Sequence, residues 1–271
     1  METNKISNIH FITYSNGKNR MTGNEYSYTQ NLLVNSVKLH SKYNVVYHTY
    51  DLEKIKNKDW FFKISNFPNL EINTNYSRDG YYNAWKAFLV KEVYDLMGDD
   101  DILYYVDSSG YHQSGFNQNI DTLLEYGFEN NRVAGTFGID VKNNSFNCCD
   151  NTNLWKYIYR NLEINYNELI IKPHVLNSWF VFKKEKTNEN FINEWVDMIV
   201  TETNGIPLIA LHHTVDQSIF NILVYKYNFN CFFSNQYHDV NKNHNNVHEI
   251  MNNEIENGNT IDQFFLNPLN Y

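Results

Sequence analysis

Cysteine, proline and glycine are all scarce: the 271 residues hold 3 Cys, 4 Pro and 11 Gly. Cys148, Cys149 and Cys231 form no CxxC pair, and two adjacent cysteines make a poor start for a disulfide framework or a closed zinc site. A reducing compartment fits that usage. No Pro/Gly-rich linker divides the chain, so a single domain over 1–271 is expected, long enough to bury a sizeable core. Long apolar runs are missing too. None approaches the roughly 18–20 residues needed to span a bilayer, and the first residues, METNKISNIHFITYSNG, lack an apolar signal core. The expectation is a cytoplasmic protein with no membrane span. Positive charge is in deficit, with 22 Lys and Arg against 31 Asp and Glu, a net charge of −9 and a pI near 5.5. Such a field repels nucleic acid and anionic membrane, so neither is an expected partner. No GxxxxGK[ST] loop and no GxSxG elbow occurs, and SNGKNRMTG after the first apolar run is a poor match to GxGxxG.

What is present is strand–helix alternation. NIHFITYS (8–15) and YNVVYHTY (43–50) read as strands. YSYTQNLLVNSVKLHSK between them reads as a helix, with Leu32, Leu33, Val37 and Leu39 near helical spacing. FPNLEINT holds a further short strand. The clearest helix is YYNAWKAFLVKEVYDLMG, where Trp85, Leu89, Val93 and Leu96 form a stripe and Gly98 can end it. In the second half, RVAGTFG, LNSWFVFKK and NCFF read as strands; NLWKYIYRNL, TNENFINEWVDMIV and TVDQSIFNILVYKY read as helices. From Ser234 the chain turns polar and reads as a loop or tail. The pattern predicts an α/β fold with a mainly parallel sheet flanked by helices. Aromatics are abundant, 21 Tyr and 18 Phe, but they accompany an excess of Asn, Lys and Ile that an AT-rich genome would produce.

Ligands of open α/β sheets lie beyond the carboxyl ends of the strands. In DDILYYVDSSGYH the apolar run Ile102–Val106 ends on Asp107, followed by Ser108, Ser109 and Gly110. Asp107 either holds Mg²⁺ or Mn²⁺ against a substrate phosphate or caps an ordinary Asp-Ser-Ser-Gly turn. Lys86 lies on a face with Val90, Val93 and Met97 at the start of its helix. There it suits an anion at the helix amino end, with Arg78 nearby, or else it snorkels. Thr214 and Gln217 have the spacing of a capping box, with Asp216 in the first turn and His212 and His213 before it. A carboxylate so placed could also orient a hydroxyl or take its proton. His238, His244 and His248 match no closed zinc pattern, though any one could complete a metal site.

Four stretches taken in order, YYNAWKAFLVKE, GDDDILYYVDSSG, FVFKKEKTNENFINEW and HHTVDQSIFNILVYKYN, resemble GT-A-fold glycosyltransferases. The likeness is strongest to uncharacterised members from bacterial surface-polysaccharide clusters and large DNA viruses. It covers most of residues 7–233. It implies a GT-A-like single domain with a nucleotide-sugar-binding half (1–115) and an acceptor half (116–271). It also implies a nucleotide-sugar donor, most often a UDP-sugar, a glycan or glycoprotein acceptor, and Mn²⁺ or Mg²⁺. Cytoplasm, or host cytoplasm and virion for a viral protein, is the implied location. By this resemblance Thr13 and Tyr14 lie near the base, and Asp107, with Ser109 beside it, holds the metal and diphosphate. Lys86 and Arg78 offset the leaving phosphate, and Asp216 is the catalytic carboxylate. The family's Asp-x-Asp reads VDSS here and its DQD reads DQS, with Ser218 in place of the last acid. Whether the metal is needed and which stereochemistry results stay open. Two further readings compete: a non-catalytic sugar-nucleotide or glycan binder, and a metal-dependent phosphohydrolase using Asp107 and Asp140.

Overall fold

The computed structural model describes residues 6–17, 25–65, 83–108, 120–136, 175–203, 206–207, 215–232 and 265–266. The strand expected in FPNLEINT and the helix expected in NLWKYIYRNL lie outside them. The strands are β1 (Ile9–Tyr14), β2 (Val45–Tyr50), β3 (Ile102–Val106), β4 (Arg132–Thr136), β5 (Val175–Lys183), β6 (Glu202–Thr203), β7 (Ile206–Pro207), β8 (Asn230–Phe232) and β9 (Phe265–Leu266). The helices are α1 (Tyr26–His40), α2 (Leu52–Lys56), α3 (Phe62–Ser65), α4 (Trp85–Leu96), α5 (Ile120–Glu129), α6 (Lys186–Val200) and α7 (Val215–Lys226). A seven-stranded sheet runs β2-β1-β3-β5-β4-β8-β9, while β6 and β7 form a separate hairpin. β2, β1 and β3 are parallel, β5 is antiparallel to both β3 and β4, β8 is parallel to β4, and β9 is antiparallel to β8. The sheet is therefore mixed and mainly parallel, with β3 beside the reversed strand at its centre. No helix among the described residues is long and apolar enough to cross a membrane.

Two apolar layers enclose the sheet because successive strand residues face opposite sides. Ile12, Tyr14, Leu103, Tyr105, Phe180 and Phe182 face α4, α6 and α7; Ile9, Phe11, Ile102, Tyr104, Trp179 and Val181 face α1 and α5. The first layer is aromatic: Phe180 meets Trp195 of α6 and Phe220 of α7 at ring distances of 5.8 and 5.1 Å. Each such side chain contributes about 1.5–3 kcal/mol by leaving water. α6 is tied at its start by Glu185, whose carboxylate accepts from the Thr187 and Asn188 N–H groups, and its Phe191, Ile192, Trp195, Met198 and Ile199 are buried. α5 approaches the sheet at Gly127, where a Cβ would stand 2.6 Å from Val181 Cγ1.

Several sequence expectations change. Leu39 and Leu96, placed on buried stripes by their spacing, are 77% and 67% exposed; Thr29 and Gln30 are buried in α1 instead. α5, a sizeable amphipathic helix in IDTLLEYGFE, was not expected, nor were the short α2 and α3. The stretch expected as a polar tail contributes β9, with Leu266 paired to Cys231.

Candidate functional site

The carboxyl ends of β1, β2 and β3 are locked together by the first turn of α1. Gln30 Nε2 donates to the Thr13 and Tyr50 carbonyls at 3.1 and 3.0 Å, and Ser15 Oγ donates to Gln30 Oε1 at 3.1 Å. Thr29 Oγ1 donates to the Ser108 carbonyl, and Ser108 Oγ donates to the Tyr14 carbonyl. This explains why two polar residues are buried in α1: their hydrogen bonds tie three strand ends together.

Asp107 follows the end of β3, its N–H donating to the Ser178 carbonyl at 2.8 Å. Its Oδ1 accepts from Tyr105 O–H and lies 3.0 Å from Lys86 Nζ. Lys86 reaches it from the first turn of α4. The helix is entered through Asn83 at φ 59°, a left-handed conformation that asparagine tolerates better than most residues, and Ala84 supplies no side-chain cap. Lys86 does not snorkel. Its side chain is 3% exposed, and its ammonium also donates to the Asn177 carbonyl at 3.0 Å and sits 5.0 Å from the Tyr105 ring centre.

Asp216, in the first turn of α7, is 4% exposed and accepts from Asn177 Nδ2 at 2.9 Å. Burial pushes its carboxyl above the usual range; Lys86, Asn177 and the Gln217 N–H pull it back, and Asp107 adds to the rise. Burial, with Asp107 and Asp216 adding, holds the Tyr105 phenol well above its usual value. Asn177 is free to serve both partners because β5 is irregular there. The β4–β5 register slips where Ala134 pairs with Phe180 and Thr136 with Val175. The released backbone is taken up by α7. Gln217 Oε1 accepts from the Asn177 N–H at 3.1 Å, Asn221 Oδ1 accepts from the Val175 N–H at 2.7 Å, and Asn221 Nδ2 donates to the Val175 carbonyl at 2.7 Å. The Gln217 side chain thus supports β5; its expected capping partner, Thr214, lies outside the described residues.

Of the residues nominated from sequence, Lys86, Asp107 and Asp216 come together. Thr13 and Tyr14 are buried at 0% and 4% exposure; the Tyr14 ring, on the α4 face of the sheet, stacks on Trp85 with centres 3.9 Å apart, whereas Thr13 by alternation faces the opposite side. Arg78, Ser109, Asp140, His212, His213, His238, His244 and His248 lie outside the described residues. Tyr105 and Asn177 were missed. A lone asparagine beside the aromatic run of LNSWFVFKK was the available signal, since a polar residue in a buried strand needs a partner.

Asp107 Oδ2 has no partner among the described residues, so Asp107 can offer one oxygen to a hard cation. No group of three His, Cys, Asp or Glu side chains able to hold a metal occurs among the described residues. Mg²⁺ and Mn²⁺ tolerate such an arrangement when substrate phosphates and water supply the remaining ligands.

Fold and site define an α/β protein with a mixed, mainly parallel sheet and, at the carboxyl end of its central parallel strand, a buried ammonium paired with a partly exposed carboxylate and linked through Asn177 to a second, buried one. No protein-family model matches the chain, and no curated protein matches it.

Proposed function

We propose that the protein is a glycosyltransferase that moves a sugar from a nucleotide-sugar donor, a UDP-sugar by resemblance, to a hydroxyl of a glycan or glycoconjugate. One observation carries the reading: Lys86 and Asp107, nominated separately from a helix and a strand, meet at 3.0 Å beyond β3. Strand carboxyl ends are where α/β sheets bind ligands, and an ammonium fixed there can offset charge building on a departing diphosphate. The GT-A-like motif order and the mixed, mainly parallel sheet support the same reading. Mn²⁺ or Mg²⁺, when bound, would act as a Lewis acid on the diphosphate, and Asp107 is the side chain that would hold it. Asp216, buried and bound to Asn177, suits orienting the reacting groups through its field better than direct contact with an acceptor. Arg78 would join Lys86, Ser109 would flank Asp107, and Thr13 and Tyr14 would back the base.

A thermal-shift screen across nucleotide sugars, with and without Mn²⁺, tests the reading. A selective rise with one sugar, followed by release of its nucleotide, is the expected result; no response to any nucleotide sugar sinks it. Asp107→Ala should abolish metal-dependent donor turnover while the fold survives, and full activity in that variant would remove Asp107 from the mechanism.

A second reading, a non-catalytic sugar-nucleotide or glycan binder, draws support from the internal pairing of Lys86 with Asp107 and from the single carboxylate oxygen offered to a metal. UDP binding by calorimetry without turnover would favour it. The phosphohydrolase reading needs a second carboxylate, and its candidate, Asp140, lies outside the described residues; release of phosphate from simple esters would support it.

A further inference from the structure

We propose that Lys86 is an oxyanion-binding group kept covered by an intramolecular occupant, the Asp107 carboxylate, which an incoming diphosphate must displace. The ammonium has its partners already. Asp107 Oδ1 and the Asn177 carbonyl each lie 3.0 Å away, and the Tyr105 ring covers a further side at 5.0 Å. These partners differ in freedom. Asn177 is 5% exposed with its N–H held by Gln217 and its amide by Asp216; Tyr105 is 0% and Asp216 4% exposed. Asp107 alone opens to solvent, its side chain 28% exposed against 3% for Lys86. It follows the last residue of β3, and its one other side-chain partner among the described residues is the Tyr105 hydroxyl.

Rotation of Asp107 away from the ammonium leaves Lys86 still fixed by the Asn177 carbonyl, with the charge of Asp216 still acting on it. The vacated position is that of an oxygen already at hydrogen-bond distance from a buried cation. A phosphate oxygen is the ligand chemistry that matches it in charge and geometry. A carboxylate that leaves the ammonium is also the carboxylate free to meet a cation, so a diphosphate arriving with a divalent metal can satisfy both halves of the broken pair. A bare anion cannot, and competes with Asp107 for one site.

That competition reverses an ordinary expectation. Were Asp107 only a support for ligand binding, removing it would weaken every phosphate ligand. As an occupant, its removal strengthens the metal-free ones. The proposal rests on the diphosphate part of the transferase reading alone, and its test involves no sugar.

Inorganic pyrophosphate is titrated by calorimetry in the presence of a chelator into the full-length protein, Asp107→Ala, Asp107→Asn, Lys86→Met and the double variant Asp107→Ala/Lys86→Met. Asp107→Ala should bind about tenfold more tightly than the native protein, the scale of a partly exposed ion pair removed as competitor. Asp107→Asn should gain less, since it keeps the bulk and the acceptor for Tyr105; it also serves if the alanine variant does not fold. The double variant should lose the gain. Equal or weaker binding by both Asp107 variants overturns the proposal, as does a gain that persists without Lys86. Tighter pyrophosphate binding beside a donor screen with no response would keep the covered oxyanion site and discard sugar transfer.

Discussion

Two buried polar clusters occupy opposite ends of the parallel strands, and they handle charge differently. At the amino end, Asp101 accepts from Asn8 Nδ2 and the Gly98 N–H, both at 2.8 Å, and lies 3.3 Å from His10 Nε2. That contact places a proton on His10 Nε2, leaving Nδ1 to accept from His48 Nε2 at 3.0 Å. One carboxylate thereby sets both tautomers, and its own partners are an amide, a backbone N–H and an imidazole. At the carboxyl end, an ammonium out of water is paired with Asp107, which reaches solvent, and its charge also acts on a second, buried carboxylate, Asp216. A dipolar network costs little to keep and has no vacancy for a ligand. A buried ion cluster costs desolvation and is weak evidence for stability, so its presence at a strand end is better explained by exchange of partners.

The strongest way to break this contrast is to remove that cation. Lys86→Met leaves Asp107 without its ion-pair partner and the buried Asp216 without the positive charge that offsets it, and should cost about 3–5 kcal/mol. For a chain of this size that is roughly a 10 °C fall in Tm. Adding Asp216→Asn to Lys86→Met removes one stranded charge and should restore about half of the loss. Denaturant melts of both variants check this. A loss below about 1 kcal/mol in the single variant would show that neither carboxylate depends on the ammonium, and the two ends would no longer differ in kind.

The amino-end cluster predicts a pH effect. Burial, with His10 adding, lowers His48 to about 4, while Glu92 opposes and Lys58 assists. The unfolded histidine titrates near 6.5, so on acidification the unfolded chain takes up the proton first. Stability should therefore fall as pH drops from about 6.5 toward 4. For a half-buried ring the loss is about 2 kcal/mol after allowing for screening. His48→Gln should flatten that limb. An acid limb as steep as in the native protein would assign the loss to other groups.

How much of this was legible in the sequence follows the same division. Asp107 could be read because a carboxylate closing an apolar run announces a strand end. Lys86 could be read because a cation interrupts an apolar helix face. Both signals are local. Asn177, which joins Lys86 to Asp216, was legible only as a polar residue in need of a partner: which partners it takes depends on a register slip in β5 and on amides one turn apart in α7, contacts that span about forty residues of sequence. Leu39 and Leu96 misled for a related reason. Helical spacing fixes which residues share a face but not where the sheet stops covering that face, and tertiary packing placed Thr29 and Gln30 inside instead. The His10–His48 pair joins neighbouring parallel strands, so its members stand 38 positions apart with no spacing pattern to betray them.

The smallest expected effect sharpens the claim that dipoles close the amino-end cluster. Burial alone would raise the Asp101 carboxyl, but the Gly98 N–H, the Asn8 amide and His10 together outweigh it and hold it below its usual value. A carboxylate held low contributes stability above the unfolded pKa, near 4, and that contribution is lost as pH falls through the folded value. Asn8→Ala removes one donor and should cost about 1 kcal/mol at pH 7. In urea melts the variant and the native protein should converge as the pH drops below about 4, because a protonated Asp101 no longer rewards the amide. A gap that stayed constant across that range would mean Asn8 acts through packing or through its contact with Asn44, 2.6 Å away, and that Asp101 is held low by Gly98 and His10 alone.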